Sequence, residues 1–249
     1  TLNCSLKSDN GDATITSVGF YYCKSAEAFP KDPTTVSLLD DRTFSISITG
    51  LTAVTEYKVK AVATNAGGTS TTDEFTFTTA PTVATVKASP DARQAVLNGT
   101  FVGNDATTVG FMWGTSENSL SETLDGQKSN NNFSASITTV PNTKYYFKAY
   151  AQNGTQKAEG EVMSFITLPE ITVTGGSYGS SSATIIAELP SDIGNAETLR
   201  IGYNLNGTSD IEVTTGDQNN RTHTIEVSNL KDGENTIKVF AQNSSGKAY

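Results

Sequence analysis

Apolar residues alternate with polar ones along much of the chain. Phe44, Ile46 and Ile48 are separated by Ser45 and Ser47, and Phe133, Ala135 and Ile137 by Ser134 and Ser136. His223, Ile225 and Val227 are likewise separated by Thr224 and Glu226. A period of two with one polar face predicts half-buried antiparallel strands, because successive side chains of a strand point to opposite faces. Asn-Gly, Gly-Gly and Ser-Gly steps supply the turns, and no long stretch carries a helical period. The pattern therefore predicts an all-β chain built as β-sandwiches.

The alternation comes in three copies. Val18-Gly19-Phe20-Tyr21-Tyr22 recurs as Val109-Gly110-Phe111-Met112-Trp113 and, more weakly, as Ile201-Gly202-Tyr203-Asn204-Leu205. Tyr57-Lys58-Val59-Lys60-Ala61 matches Tyr145-Tyr146-Phe147-Lys148-Ala149, and the segments ending in Asn65, Asn153 and Asn243 align. A period near 90 residues is too long for a solenoid and fits a small independent domain. Ala80-Pro81 and Leu168-Pro169 mark the boundaries, giving domains 1–80, 81–168 and 169–249. By alignment, domain 1 is expected to lack its first strand and domain 3 its last. The short proline-bearing junctions predict a semi-rigid rod.

Leu51-Thr52-Ala53-Val54-Thr55-Glu56-Tyr57, followed by Asn65-Ala66-Gly67-Gly68, resembles the fibronectin type III signature, in which a leucine and a tyrosine flank the E–F corner. Domain 2 keeps it as Val140-Pro141-Asn142-Thr143-Lys144-Tyr145. Domain 3 has Asn235 in place of the tyrosine, and its Leu230-Lys231-Asp232-Gly233-Glu234-Asn235 is similar to bacterial immunoglobulin-like modules. The closest similarity is to fibronectin type III-like modules of surface proteins of gut-dwelling anaerobic bacteria. That resemblance implies tandem sandwiches and an extracellular or outer-surface location, and it leaves function open because such modules serve many roles.

Composition narrows the classes. A chain with 38 Thr, 25 Ser and 19 Asn and only 17% charged residues suits strands and turns. Its 11 Phe and 9 Tyr supply cores and exclude a disordered chain. A formal charge of −9 argues against a nucleic-acid partner or an anionic membrane. No apolar run reaches the roughly 20 residues that span a bilayer. No signal peptide is present, so the chain reads as a mature form or a fragment.

Few residues suggest chemistry. Cys4 and Cys23 appear in domain 1 and vanish together from domains 2 and 3, which favours a disulfide in an oxidising compartment. Parity opposes it, since Leu2, Cys4 and Leu6 share an inward face whereas Val18, Phe20 and Tyr22 turn Cys23 outward; a bridge then needs a bulge or strand end at Cys23, and two unpaired cysteines are the alternative. His223 aligns with Phe44 and Phe133 and reads as an aromatic-sized filler, not a catalyst. Trp113 reads as core. Asp9, Asp12, Asp40 and Asp41 lack the spacing of a calcium loop, so no metal or cofactor is expected.

On the outward face of domain 2, Tyr146, Lys148 and Tyr150 lie beside Met112 and could bind a sugar or a partner protein. The competing reading is that Tyr150 covers the bare backbone of Gly110, as Phe240 would cover Gly202. Tyr146 has no such alternative role. The matching face of domain 1, with Tyr21, Lys58 and Lys60, reads as an ordinary solvated surface. The expectation is a non-catalytic adhesion or spacer segment of a secreted or surface-anchored bacterial protein. Its partners would be other domains of the same protein, with a host or glycan ligand as a further one. Glycan binding through domain 2 is the rival, and no nucleophile elbow, nucleotide loop or paired-histidine motif supports an enzyme.

Overall fold

The computed structural model describes residues 1–7 and 14–249. Asp9 and the expected Asn10-Gly11-Asp12 turn lie outside the described residues. Antiparallel ladders sort the strands into three consecutive groups, each made of two sheets.

The first group contains β1 (Leu2–Ser5), β2 (Ile15–Lys24), β3 (Thr34–Val36), β4 (Thr43–Ile46), β5 (Glu56–Asn65), β6 (Gly68–Thr71) and β7 (Phe75–Thr78). β1 pairs β4; the facing sheet runs β3-β2-β5-β6, with β7 also on β5. Alternation builds the first half of β5, since Tyr57, Val59 and Ala61 are buried while Lys58 and Lys60 between them stay half-buried on the outer face.

The second group contains β8 (Thr82–Pro90), β9 (Gln94–Val102), β10 (Thr108–Gly114), β11 (Glu122–Asp125), β12 (Gln127–Ser129), β13 (Asn132–Thr138), β14 (Lys144–Asn153), β15 (Gln156–Glu159) and β16 (Met163–Ile166). One sheet runs β12-β13-β9-β8 and the other β11-β10-β14-β15, with β16 also on β14. The chain changes sheets at Gly126, where a Cβ would lie 2.5 Å from the Phe133 ring. Gly99, opposite Phe133 in the ladder, meets the other side of that ring equally closely, so two glycines form the notch that seats it. Phe111, fully buried, packs its ring 4.9 Å from Phe133. Trp113 packs against this core, 5.9 Å from Tyr145.

The third group contains β17 (Thr172–Tyr178), β18 (Ser182–Glu188), β19 (Leu199–Leu205), β20 (Ile211–Gly216), β21 (Thr222–Ser228), β22 (Ile237–Asn243) and β23 (Gly246–Ala248). Its sheets run β17-β18-β21 and β20-β19-β22-β23. The protein is thus all-β, with tandem antiparallel sandwiches. By packing, the chain divides into two compact units. One holds Thr1–Thr82 with Val102–Thr107 and Gln152–Ala158; the other holds Val83–Phe101, Thr108–Ala151 and Glu159–Tyr249, and contains the junction between the second and third groups.

Candidate functional site

The corner between β4 and β5 is closed by Tyr57, whose hydroxyl accepts from the Thr52 amide at 3.0 Å. Between β13 and β14, Tyr145 accepts from the Val140 amide at 3.0 Å. Each corner is also pinned by a threonine. Thr79 Oγ1 accepts from Thr55 N at 2.9 Å and donates to Thr52 O at 2.6 Å, while Thr167 Oγ1 accepts from Thr143 N at 2.9 Å and donates to Val140 O at 2.7 Å. In the third sandwich Asn235 stands in place of the tyrosine, and Asn206 Nδ2 donates to its Oδ1 at 2.9 Å. The Asn235 carboxamide accepts from Lys231 N and donates to Lys231 O and Gly233 O.

The residues expected to bind a ligand on domain 2 already have partners within the molecule. Lys144 Nζ sits 5.0 Å from the centre of the Tyr146 ring, and Tyr146 is half-buried. Lys148 forms an ion pair with Glu159. Tyr150 lies over Gly110, where a Cβ would come 2.6 Å from its hydroxyl oxygen, and that hydroxyl donates to Asp125 Oδ1 at 3.3 Å. Burial, and then the neighbouring Asp125 carboxylate, raises the pKa of the Tyr150 phenol. Phe240 lies over Gly202 in the same way. Met112, opposite Thr123 on β11, is half-buried.

The expected bridge between Cys4 and Cys23 is corrected: both are free. Cys4 sits in the β1–β4 ladder opposite Phe44, whereas Cys23 sits in the other sheet opposite Lys58, with its thiol directed at Glu27 O, 3.6 Å away. Gly99 and Ala187 occupy the place of Cys4 beneath Phe133 and His223. A small residue under a ring is the requirement, and the thiol of Cys4 satisfies it as a small apolar group.

His223 is 3% exposed, and its Nε2 has no hydrogen-bond partner. A Cβ on Gly216 would lie 2.6 Å from that nitrogen, so glycine again makes room for the ring. Burial lowers the imidazole pKa below its ordinary 6.5. Of the acidic loop residues, Asp9 and Asp12 lie outside the described residues and Asp40 is exposed. Asp41 accepts from the amide and hydroxyl of Thr43, which lower its pKa. Among the described residues no group of three or more acidic, His or Cys side chains could hold a metal ion.

Two arrangements were not anticipated from the sequence. At the junction of the second and third sandwiches, Asn142 is fully buried with φ 50°. Its Nδ2 donates to Gly194 O at 3.1 Å and Glu197 O at 2.7 Å, and its Oδ1 accepts from Asn243 Nδ2 at 3.1 Å. Asn243 also donates to Thr167 O at 2.9 Å. Main-chain bonds join the same loops: Gly194 N donates to Pro141 O at 2.8 Å and Ala196 N to Asn142 O at 3.0 Å. Gly194 must lack a Cβ, which would fall 2.7 Å from Asn142 O. At the rim, Arg93 donates to Glu170 at 2.6 Å and to both oxygens of Asp192, holding the Asp192 carboxyl below its usual range. That rim pair is half-exposed and contributes little; the buried amide network contributes more. The αL-tolerant Asn in Pro141-Asn142-Thr143 was a visible turn signal, but nothing local revealed what its side chain reaches.

The other arrangement lies on the outer face of the first sandwich. Phe29, from the loop between β2 and β3, packs edge-on to Tyr21 at 6.2 Å. Lys58 Nζ and Lys60 Nζ lie 5.0 and 5.1 Å from the centre of its ring. Among the described residues neither ammonium forms an ion pair. Phe29 stands alone between Ala28 and Pro30, without periodic neighbours to mark it.

No protein-family model matches this sequence, and no curated protein does. Among solved structures, the chain is similar to the FN1–FN3 domains of chicken CNTN1, at 14% identity and TM-score 0.32, covering 95% of this chain and 86% of that one. It is also similar to an I-band fragment of titin, at 14% identity and TM-score 0.32, covering 92% of this chain and 84% of that one. The sheet order described above, and not these likenesses, carries the fold assignment.

Proposed function

We propose that the chain is a non-catalytic structural segment, a spacer or adhesion arm, of an extracellular or surface-anchored protein. It comprises modules 1–80, 81–168 and 169–249. The supporting observation is the buried amide network around Asn142. Thr167, Pro169 and Ile171, which join the second and third sandwiches, are themselves buried. A buried connection tied by such bonds resists bending, because each bond broken leaves an orphan that costs about 1–3 kcal/mol. A flexible tether has no use for such a network, whereas a segment that sets a distance does. The signatures resembling fibronectin type III-like surface modules support the extracellular placement.

Limited proteolysis of the full chain with a broad-specificity protease tests this reading. Residues 167–171 should survive until the sandwiches themselves unfold, and early cleavage there overturns it. Glycan binding through Tyr146, Lys148, Tyr150 and Met112 is the competing function. It would require a ligand to displace the partners these side chains hold, and a glycan-array signal abolished by Tyr146→Ala would favour it.

A further inference from the structure

The outer sheet faces of the first and second sandwiches share a backbone but differ in charge balance. Ala61 O accepts from Thr72 N, and Ala149 O accepts from Gly160 N at the equivalent place, so Thr71 and Glu159 occupy matching positions. Lys60 and Lys148 match as well, two positions after their corner tyrosines' following residues, Lys58 and Tyr146. In the second sandwich Glu159 neutralises Lys148. In the first, Thr71 cannot, and Lys58 adds a second ammonium against the same Phe29 ring. Glu56 stands at the end of this face and pairs with neither lysine. Each ammonium lies within 5.1 Å of the ring centre, so an anion bound beside the ring is attracted by both. The pair is also anomalous on a chain of net charge −9.

We propose that this face of the first sandwich binds a carboxylate-bearing polysaccharide, with Lys58 and Lys60 holding the carboxylate and Tyr21 and Phe29 supporting the sugar ring. Charge complementarity selects an anion. The rings of Tyr21 and Phe29 beside the lysines favour a polysaccharide, whose sugar ring can rest on them, over an acidic peptide. Hydroxyls flank the lysines: Thr76 pairs with Lys58, and Thr35 pairs with Gly19 on the same face. The inference rests on residues of the first module alone and not on the junction around Asn142 that supports the spacer reading.

Affinity electrophoresis of the full chain in gels containing polygalacturonate, poly-glutamate or neutral dextran tests the proposal. Polygalacturonate should retard the chain and the other two should not, with retardation fading as salt is raised. The double variant Lys58→Gln/Lys60→Gln should bind about tenfold or more weakly, and Thr71→Glu, which supplies the missing carboxylate to Lys60, should weaken binding in the same direction. Lys144→Gln, on the second sandwich, should change nothing. All these positions are on the surface, so unchanged unfolding midpoints will confirm that the variants are folded. No retardation by polygalacturonate, retardation unaffected by the double variant, or equal retardation by poly-glutamate each overturns the proposal.

Discussion

The corners before β5 and β14 share one set of hydrogen bonds, and the difference that matters most between them is the side chain at their central position, Val54 in one and Asn142 in the other. Tyrosine, threonine and main-chain bonds correspond one for one, and the central residue adopts a left-handed conformation in both, with φ 47° at Val54 and 50° at Asn142. Val54 is half-buried and β-branched, a poor occupant of that region. Asn142 suits the backbone and uses its amide to hold three groups of the next sandwich. A repeated scaffold thus fixes where a side chain is presented, and Asn142 uses that place to join the second sandwich to the third.

Exchanging the two residues is the most direct way to break this comparison. Asn142→Val should cost about 3–5 kcal/mol, since it strains the backbone, removes the side-chain donor to Gly194 O and Glu197 O, and takes one of the acceptors of Asn243 Nδ2. Chemical denaturation should then separate the third sandwich from the second, and hydrogen exchange should lose protection at Gly194 and Ala196. If a single unchanged transition persists, the network is not what couples them. The reverse change, Val54→Asn, should stabilise the first sandwich by about 1 kcal/mol through relief of strain, read as a raised midpoint. Tyr57→Phe and Tyr145→Phe remove the bond the corners share and should cost equally, about 1 kcal/mol each. Unequal losses would mean the corners are alike only in outline.

The third sandwich extends the comparison, because His223 replaces Phe44 and Phe133 under otherwise similar packing. Its folded pKa lies below the unfolded 6.5, so as pH falls the unfolded chain takes up the proton first. The contribution is complete above about pH 6.5 and is lost as pH drops through the folded value. Denaturation followed from pH 8 to pH 5 should show a slope for this sandwich that His223→Phe reduces. An identical slope in the variant would assign the pH dependence to other groups.

The fold was legible because the signals that specify a sandwich are local: Phe133, Ala135 and Ile137 alternate within one strand, and Tyr145 marks its corner by spacing. Even the shielding of Gly110 by Tyr150 could be read, since the same pairing recurs as Gly202 and Phe240. The junction could not. Asn142 meets Gly194 and Asn243 only after three separate turns are in place, and no periodicity encodes such a meeting. Phe29 was hidden for a related reason, as an isolated apolar residue in a loop belongs to no pattern. Cys4 and Cys23 misled because residues that appear together need not touch: one fills space under a ring, while the other faces outward on a different sheet.

The junction around Asn142 joins unlike surfaces, the corner of one sandwich and the loops of the next, so it has polarity. Contacts of this kind are head-to-tail; repeated, they generate a closed ring or an open screw according to the rotation at each step. Each added module would turn and advance by the same step, and pitch would be set by a few buried amides instead of by linker length. In such an array a change at one corner alters direction there and leaves every other step intact.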